Sequence, residues 1–444
     1  MKKLDSRVPA KEGTPPVFTL VGAGSRIFGF SMCTDLCQTP QLKGATVRLV
    51  DIDSDRLDKM ARLFKVVSQR TGHELRITRH TRLEDAARGS DFVVIAVAHE
   101  RIERWDADLA ISRKYGFIEA QGECGGPGGL SLTLRNVPLM IELARVIERE
   151  APRAVVLNYT NPMTRVCRAL SRYTRLNVAG LCHGLLNGQS FLSQLMKREV
   201  RVSGFGINHF NWIHAIRWAD TGEDAWREAT NAFRASDLNE GRYTRELFEV
   251  FGRIVTPGDG HIADFIHHWR GSDGGLMPRY RLHPKNMEVY RKDAAQWDLR
   301  LDEYLSGRRN PMDDVKGLSG EGAIPVSLGF QGMIPPYDEI AVNLPNRGYI
   351  ANLPDGVMVE VPARISHGGI EGCAVGGLPL PLRSLVARQL DIAELAVEAA
   401  VEGSREKALQ ALAIDPLITD LAMARDYLRD ILEAHRDLLP QFHS

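Results

Sequence analysis

A surplus of charge of either sign is missing from this chain. Its 444 residues carry 56 Lys and Arg against 56 Asp and Glu. The basic excess that draws proteins to nucleic acid or to anionic membrane surfaces is therefore absent, and neither partner is expected. No apolar run reaches the roughly 18 residues that span a bilayer. Cysteine is scarce: six residues spread over this length do not make the disulfide framework of a small secreted domain. No Cys-x-x-Cys pair and no His-Glu-x-x-His helix is present, which removes the usual signs of a closed structural zinc site or a zinc-protease helix. The stretch Met1 to Pro16 lacks the apolar core of a secretory signal, so a cytoplasmic protein is expected.

What is there is ordinary globular material, 44% hydrophobic and 25% charged. The length asks for two connected domains. Strand and helix signals alternate through the first half. Val17–Val21, Thr46–Asp51, Phe92–Val97, Ala154–Asn158 and Val178–Cys182 read as strands, with amphipathic helices between them. This alternation predicts an α/β, Rossmann-type doubly wound parallel sheet. Beyond about residue 200, strand-like pieces at Arg201–Trp218, Ile340–Asn343 and Val357–Val361 mix with longer helices, which predicts an α+β second domain. The expected division is an N-terminal tail over 1–15, a dinucleotide-binding domain over 16–200, and a catalytic and oligomerisation domain over 201–444.

The first strand breaks into Gly22-Ala-Gly24-Ser25, with a further glycine at Gly29. Two glycines let the backbone approach a pyrophosphate, which then sits on the amino end of the following helix. Asp51 ends the second strand, where a carboxylate binds a ribose hydroxyl and favours the cofactor without a 2′-phosphate. A second glycine-rich loop, Gly122 to Gly129, is either a flexible connection or a close backbone approach to cofactor or sugar.

Cys182-His183-Gly184 follows the fifth strand, at the carboxyl edge where open α/β sheets place their ligands. Gly206-Ile-Asn-His209-Phe210 supplies a second histidine, and Asn158-Tyr-Thr-Asn161-Pro162 closes the preceding strand. Each residue alone reads as structural. Together, a thiolate and an imidazole with substrate oxygens suit a divalent ion such as manganese. His267-His268 reads as structural, since adjacent residues leave a helix on different sides.

These motifs resemble the NAD-dependent glycosidases of glycoside hydrolase family 4, together with Gly258-Asp259-Gly-His261, Asn343-Leu-Pro-Asn-Arg-Gly348 and Asn352-Leu-Pro354. The resemblance implies a Rossmann domain joined to a lactate-dehydrogenase-like catalytic domain, in homodimers or homotetramers, with NAD+ and a divalent metal, Mn2+, as cofactors. It implies oxidation of a sugar at C3, removal of the C2 proton, elimination of the C1 aglycone, addition of water and re-reduction at C3. Carried onto this chain, Cys182 and His209 are the metal ligands, and His183 contacts substrate and assists the leaving group. Asn161 binds the sugar near C2 and C3, and Asp259 is the candidate C2 base. Gly22, Gly24, Ser25, Asp51 and Asn158 are the expected cofactor contacts. Cys-His-Gly resembles the α-glucuronidase and α-galacturonidase members most, which implies an α-linked hexuronide substrate. Arg101, Arg104, Arg279 and Arg281 are candidates for its carboxylate. Neutral α-glycosides are the runner-up, and a lactate- or malate-type dehydrogenase is the rival class.

Overall fold

The computed structural model describes residues 15–236, 241–270, 277–315 and 317–443. The N-terminal tail, residue 15 apart, lies outside the described residues.

Six strands form the parallel half of one sheet: β1 Val17–Val21, β2 Thr46–Val50, β3 Arg76–His80, β4 Phe92–Ile95, β5 Val155–Asn158 and β6 Asn177–Leu181. Their order is 3-2-1-4-5-6, the doubly wound arrangement, with the direction of winding reversed between β1 and β4. Phe-Val-Val-Ile in β4 and Val-Val-Leu-Asn in β5 are buried throughout, as strands covered by helices on both faces must be. β3 was not expected. Arg-Ile-Thr-Arg-His is mostly exposed at the sheet edge, so it carries no apolar signature. The helix Arg101–Lys114 was also not anticipated. The helix expected from about residue 131 begins at Gly126, inside the glycine-rich loop.

The second half of the chain does not build a separate sheet. β7 Val200–Ile207, β8 Phe210–Trp218, β9 Ile254–Thr256, β10 Tyr337–Pro345, β11 Met358–Ser366 and β12 Gly369–Gly372 extend the first one. β10 joins antiparallel to β6, with Val342 opposite Leu181 and Asn343 opposite Gly180. The order continues β10-β11-β7-β8-β9, with β12 beside β11. Backbone hydrogen bonding therefore runs without a break from the dinucleotide-binding strands to the hairpin that carries His209.

The helix Leu380–Glu402 closes the structure by packing on the helices Gly126–Glu150 and Met163–Tyr173. Buried Ala393, Ala396, Val397 and Ala400 give it a narrow apolar face that lets these helices approach closely. Among the described residues, no helix is long and apolar enough to cross a membrane.

Candidate active site

The carboxyl edge of the sheet collects the chemistry. After β1, Gly22 adopts φ +83°, and a Cβ there would stand 2.1 Å from the carbonyl oxygen of Ala96, so only glycine fits the turn. Asp51 Oδ2 accepts from the Gly24 N–H at 2.8 Å, and Oδ1 accepts from the Asp53 N–H at 3.0 Å. Each oxygen keeps a lone pair for a ribose hydroxyl. Ser25 precedes the helix Arg26–Gln38 without capping it through its side chain, and the first turn holds no acidic residue. That amino end is free to receive an anion, which is what a pyrophosphate needs. Gly22, Gly24, Ser25 and Asp51 thus come together in a geometry that fits a dinucleotide.

Asn158 does not join them. Its side chain is fully buried, with Nδ2 donating to the Thr160 carbonyl at 3.0 Å and Oδ1 accepting from the Thr160 N–H at 3.1 Å. It shapes the turn after β5. Asn161 follows across a cis bond to Pro162. Its backbone carbonyl accepts from Asn136 at 2.6 Å, while its buried Oδ1 has no partner.

His209 sits in the two-residue turn between β7 and β8, with φ +60°. Its ring meets that of His261 edge to face at 4.5 Å, and its Nδ1 lies 3.2 Å from Cys124 Sγ. Ligand atoms of Glu123, His209 and His261 all lie within 4.8 Å of one another. Burial and the neighbouring His261 push the His209 imidazole down to about 3. It is therefore the neutral ring that binds metals. Burial works against the Glu123 charge, but the Arg101 guanidinium at 2.9 Å holds this carboxyl below its ordinary range. One anionic oxygen and two neutral imidazoles make a donor set suited to a hard or borderline divalent ion.

Cys182, the other expected ligand, is not part of that trio. It stands just past β6, and burial together with the Glu360 carboxylate pushes its thiol up to about 12. Glu360 on β11 is itself buried and accepts from Asn208 at 3.0 Å, Asn211 at 3.1 Å and Asn343 at 2.8 Å. Asn208, whose buried Oδ1 has no partner, joins this carboxylate to the His209 turn. His183 is half exposed, with Nδ1 3.6 Å from Glu321 Oε2, a contact that raises its imidazole above the ordinary value.

Asp259 holds a helix terminus. Both carboxylate oxygens accept backbone N–H groups at the start of the helix Arg242–Phe251, from Tyr243 at 3.0 Å and Thr244 at 2.8 Å. Each oxygen keeps a second lone pair, so the two bonds fix the orientation of the carboxylate without using up its capacity to take a proton. These bonds make Asp259 the anchor of the short turn that presents His261, and its reading as the C2 base is a proposal. Asp259→Asn is expected to lower stability by about 1 kcal/mol and to slow exchange of the substrate C2 proton. Thermal melting and isotope exchange from deuterated solvent check the two parts.

Glu123, Cys124 and His261 were not among the expected site residues. The signal lay in the glycine-rich loop. Asp264 accepts from the N–H groups of Gly122, Glu123 and Cys124 at 2.9 to 3.3 Å, pinning the loop against the histidine turn. A Cβ on Gly125 would come within 2.2 Å of the Asp264 carbonyl. The glycines serve this packing, and the loop delivers Glu123 to a trio that could hold a metal ion.

The same architecture recurs in known proteins. Residues 17–198 match the Family 4 glycosyl hydrolase model, and residues 204–418 match the Family 4 glycosyl hydrolase C-terminal domain. The chain belongs to glycosyl hydrolase family 4. It is a glycosidase of a Rossmann-like domain followed by the family's C-terminal domain. It is 28% identical to an alpha-galacturonidase of Thermoanaerobacterium saccharolyticum over 93% of this chain and 94% of that protein. It is 30% identical to an alpha-glucosidase of Erwinia rhapontici over 89% and 92%. A 6-phospho-alpha-glucosidase from gut microorganisms, solved with NAD and Mn2+, shares the fold with a TM-score of 0.84 and 23% identity, over 96% of this chain and all of that one.

Proposed function

We propose that this family 4 glycosidase hydrolyses α-linked hexuronides, α-galacturonides or α-glucuronides, with NAD+ and Mn2+ as cofactors. The observation that carries this reading is the assembly at the sheet edge: a dinucleotide turn at Gly22–Ser25 and a trio of Glu123, His209 and His261 beside Cys182-His183-Gly184. Relatives named alpha-galacturonidase, 24% to 28% identical over most of the chain, support the uronide. Bound at these residues, NAD+ supplies a hydride acceptor for C3 and the metal supplies Lewis-acid stabilisation of negative charge on the sugar oxygens.

The chain's own residues do the rest. Asp51 orients the cofactor ribose. His209, Glu123 and His261 hold the cation, with Cys182 beside them, and Asn161 offers its unpartnered amide oxygen to a sugar hydroxyl. His183, kept protonated more readily by Glu321, donates a proton to the departing C1 oxygen. Net oxidation is absent because C3 is reduced again after water adds, so family membership sets aside the dehydrogenase reading. The alpha-glucosidase of Erwinia rhapontici keeps a second reading in view, a neutral α-glycosidase with the same chemistry.

The test is nitrophenol release from nitrophenyl α-galacturonide, α-glucuronide and α-glucoside with NAD+, Mn2+ and a thiol reductant, each omitted in turn. Uronide cleavage that needs both NAD+ and Mn2+ is expected. Activity on the glucoside alone would transfer the proposal to the second reading.

A further inference from the structure

Four arginines were the expected partners of a uronate carboxylate, and the structure places three of them in ion pairs. Arg104 meets Glu100 at 2.8 Å and Asp437, and Arg279 meets Glu246 at 3.4 Å. Arg101 meets Glu123 at 2.9 Å. Arg281 is exposed. The cation that stands out beside the trio is a lysine instead. Lys285 Nζ lies 4.6 Å from the ring centre of Tyr290 and 5.3 Å from that of Trp105. It donates to Gln121 Oε1 at 2.7 Å, and no carboxylate pairs with it among the described residues. Arg291 close by takes both Asp106 at 2.6 Å and Glu288.

The lysine is held in place rather than wandering. The Trp105 indole N–H donates to the backbone carbonyl of Gln121 at 3.0 Å, and Arg101 covers the same indole at 5.2 Å. The other end of the Gln121 amide, Nε2, is 3.5 Å from His261 Nε2. One amide group therefore separates the Lys285 ammonium from a member of the trio. Arg101 is paired with Glu123, so Lys285 is the cation of this rim that has a neutral side-chain acceptor and no carboxylate among the described residues.

From this geometry we infer that Lys285 is a specificity-determining residue that binds the C6 carboxylate of the sugar. The inference rests on the uronide reading above. In a hexuronide the carboxylate lies across the ring from O2 and O3, so a sugar placing those oxygens toward the trio presents its C6 group to the surrounding rim. A preformed ammonium with three donors and only a neutral amide acceptor is matched to it, since charge-assisted hydrogen bonds are the stronger kind. Gln121 acts as a positioning residue that holds the ammonium before substrate arrives. A C6 phosphate would offer the same anionic chemistry.

Wild-type enzyme, Lys285→Met and Lys285→Arg, each with NAD+ and Mn2+, are assayed on nitrophenyl α-galacturonide, α-glucuronide, α-glucoside and 6-phospho-α-glucoside. Free galacturonate and free galactose as competitive inhibitors give the same comparison without turnover of a neutral glycoside. Lys285→Met is expected to lower kcat/KM on the uronide about 10- to 150-fold, mainly through KM. The effect on the glucoside and on galactose inhibition should be far smaller, and Lys285→Arg should restore part of the uronide activity. Equal losses on charged and neutral sugars, with wild type cleaving uronides, would overturn the role of Lys285 alone. A wild type that ignores uronides, or prefers the phosphoglucoside, would overturn the substrate reading and the carboxylate site with it.

Discussion

His209→Ala is expected to lower kcat/KM by about a thousandfold while NAD+ binding stays close to wild type. Removal of a ligand releases the cation, and Lewis-acid stabilisation of developing charge is a term of several kcal/mol, at one tenfold step per 1.36 kcal/mol. The dinucleotide turn is a different part of the edge, built from Gly22, Gly24 and Asp51 just past β1 and β2. Steady-state rates across a Mn2+ titration, with NAD+ binding followed separately, check both halves of the expectation. Two further variants divide the ligand set. Glu123→Gln and Cys182→Ser report, through apparent Mn2+ affinity, whether the trio or the thiol dominates the binding of the ion. The trio predicts the larger loss for Glu123→Gln, and a larger loss for Cys182→Ser would return the site to a cysteine–histidine pair. A drop in NAD+ affinity equal to the drop in rate would mean that His209 is structural.

The largest effect on stability is expected far from this site. Asp108 is buried with Arg135 and His435. Its oxygens accept from Arg135 at 2.7 and 3.0 Å, from His435 Nε2 at 2.7 Å and from Ser131 at 2.7 Å. The network ties the helix Arg101–Lys114 to the helix Gly126–Glu150 and to the segment after the C-terminal helix. Asp108→Asn leaves the Arg135 charge buried without a counter-ion, a loss of about 3–5 kcal/mol. The pH dependence follows from the direction of the shift. Burial opposes ionisation of Asp108, but Arg135 and His435 prevail and depress its carboxyl below the ordinary value. A depressed carboxyl stabilises the fold above its unfolded pKa, and that contribution is lost as pH falls through the folded pKa. Urea midpoints at neutral pH and in acid should therefore converge for Asp108→Asn and wild type as the pH drops. A constant gap between them would assign the loss to packing rather than charge.

Much of the catalytic edge was legible in one dimension because local rules govern it. β1, β4 and β5 are apolar runs ending in turns, because burial on both faces leaves little room for polar residues. Gly22 reads as a tight turn because only glycine takes that backbone angle against the Ala96 carbonyl. Cys182-His183-Gly184 and Asn208-His209 lie where strands end, and strand ends are visible in sequence. β3 escaped notice because an edge strand need not be apolar. The continuous sheet escaped too: β10 follows β6 by about 155 residues in the chain yet pairs with it directly, and nothing local in Ile340–Asn343 names that partner.

By itself, the sequence determined the fold class and the family, each written in short contiguous motifs whose geometry is local. Tertiary structure alone decided which acids and imidazoles share a site. Glu123 and His261 are far apart in the chain, and they meet His209 only because Asp264 bonds the glycine-rich loop beneath it. The same folding set Asp259 against a helix terminus and gave Lys285 a neutral partner in Gln121. The physical reason is the same in each case. Whether a carboxylate or an ammonium is free for chemistry depends on which donors, acceptors and counter-charges surround it, and those neighbours come from segments whose contacts no local pattern encodes.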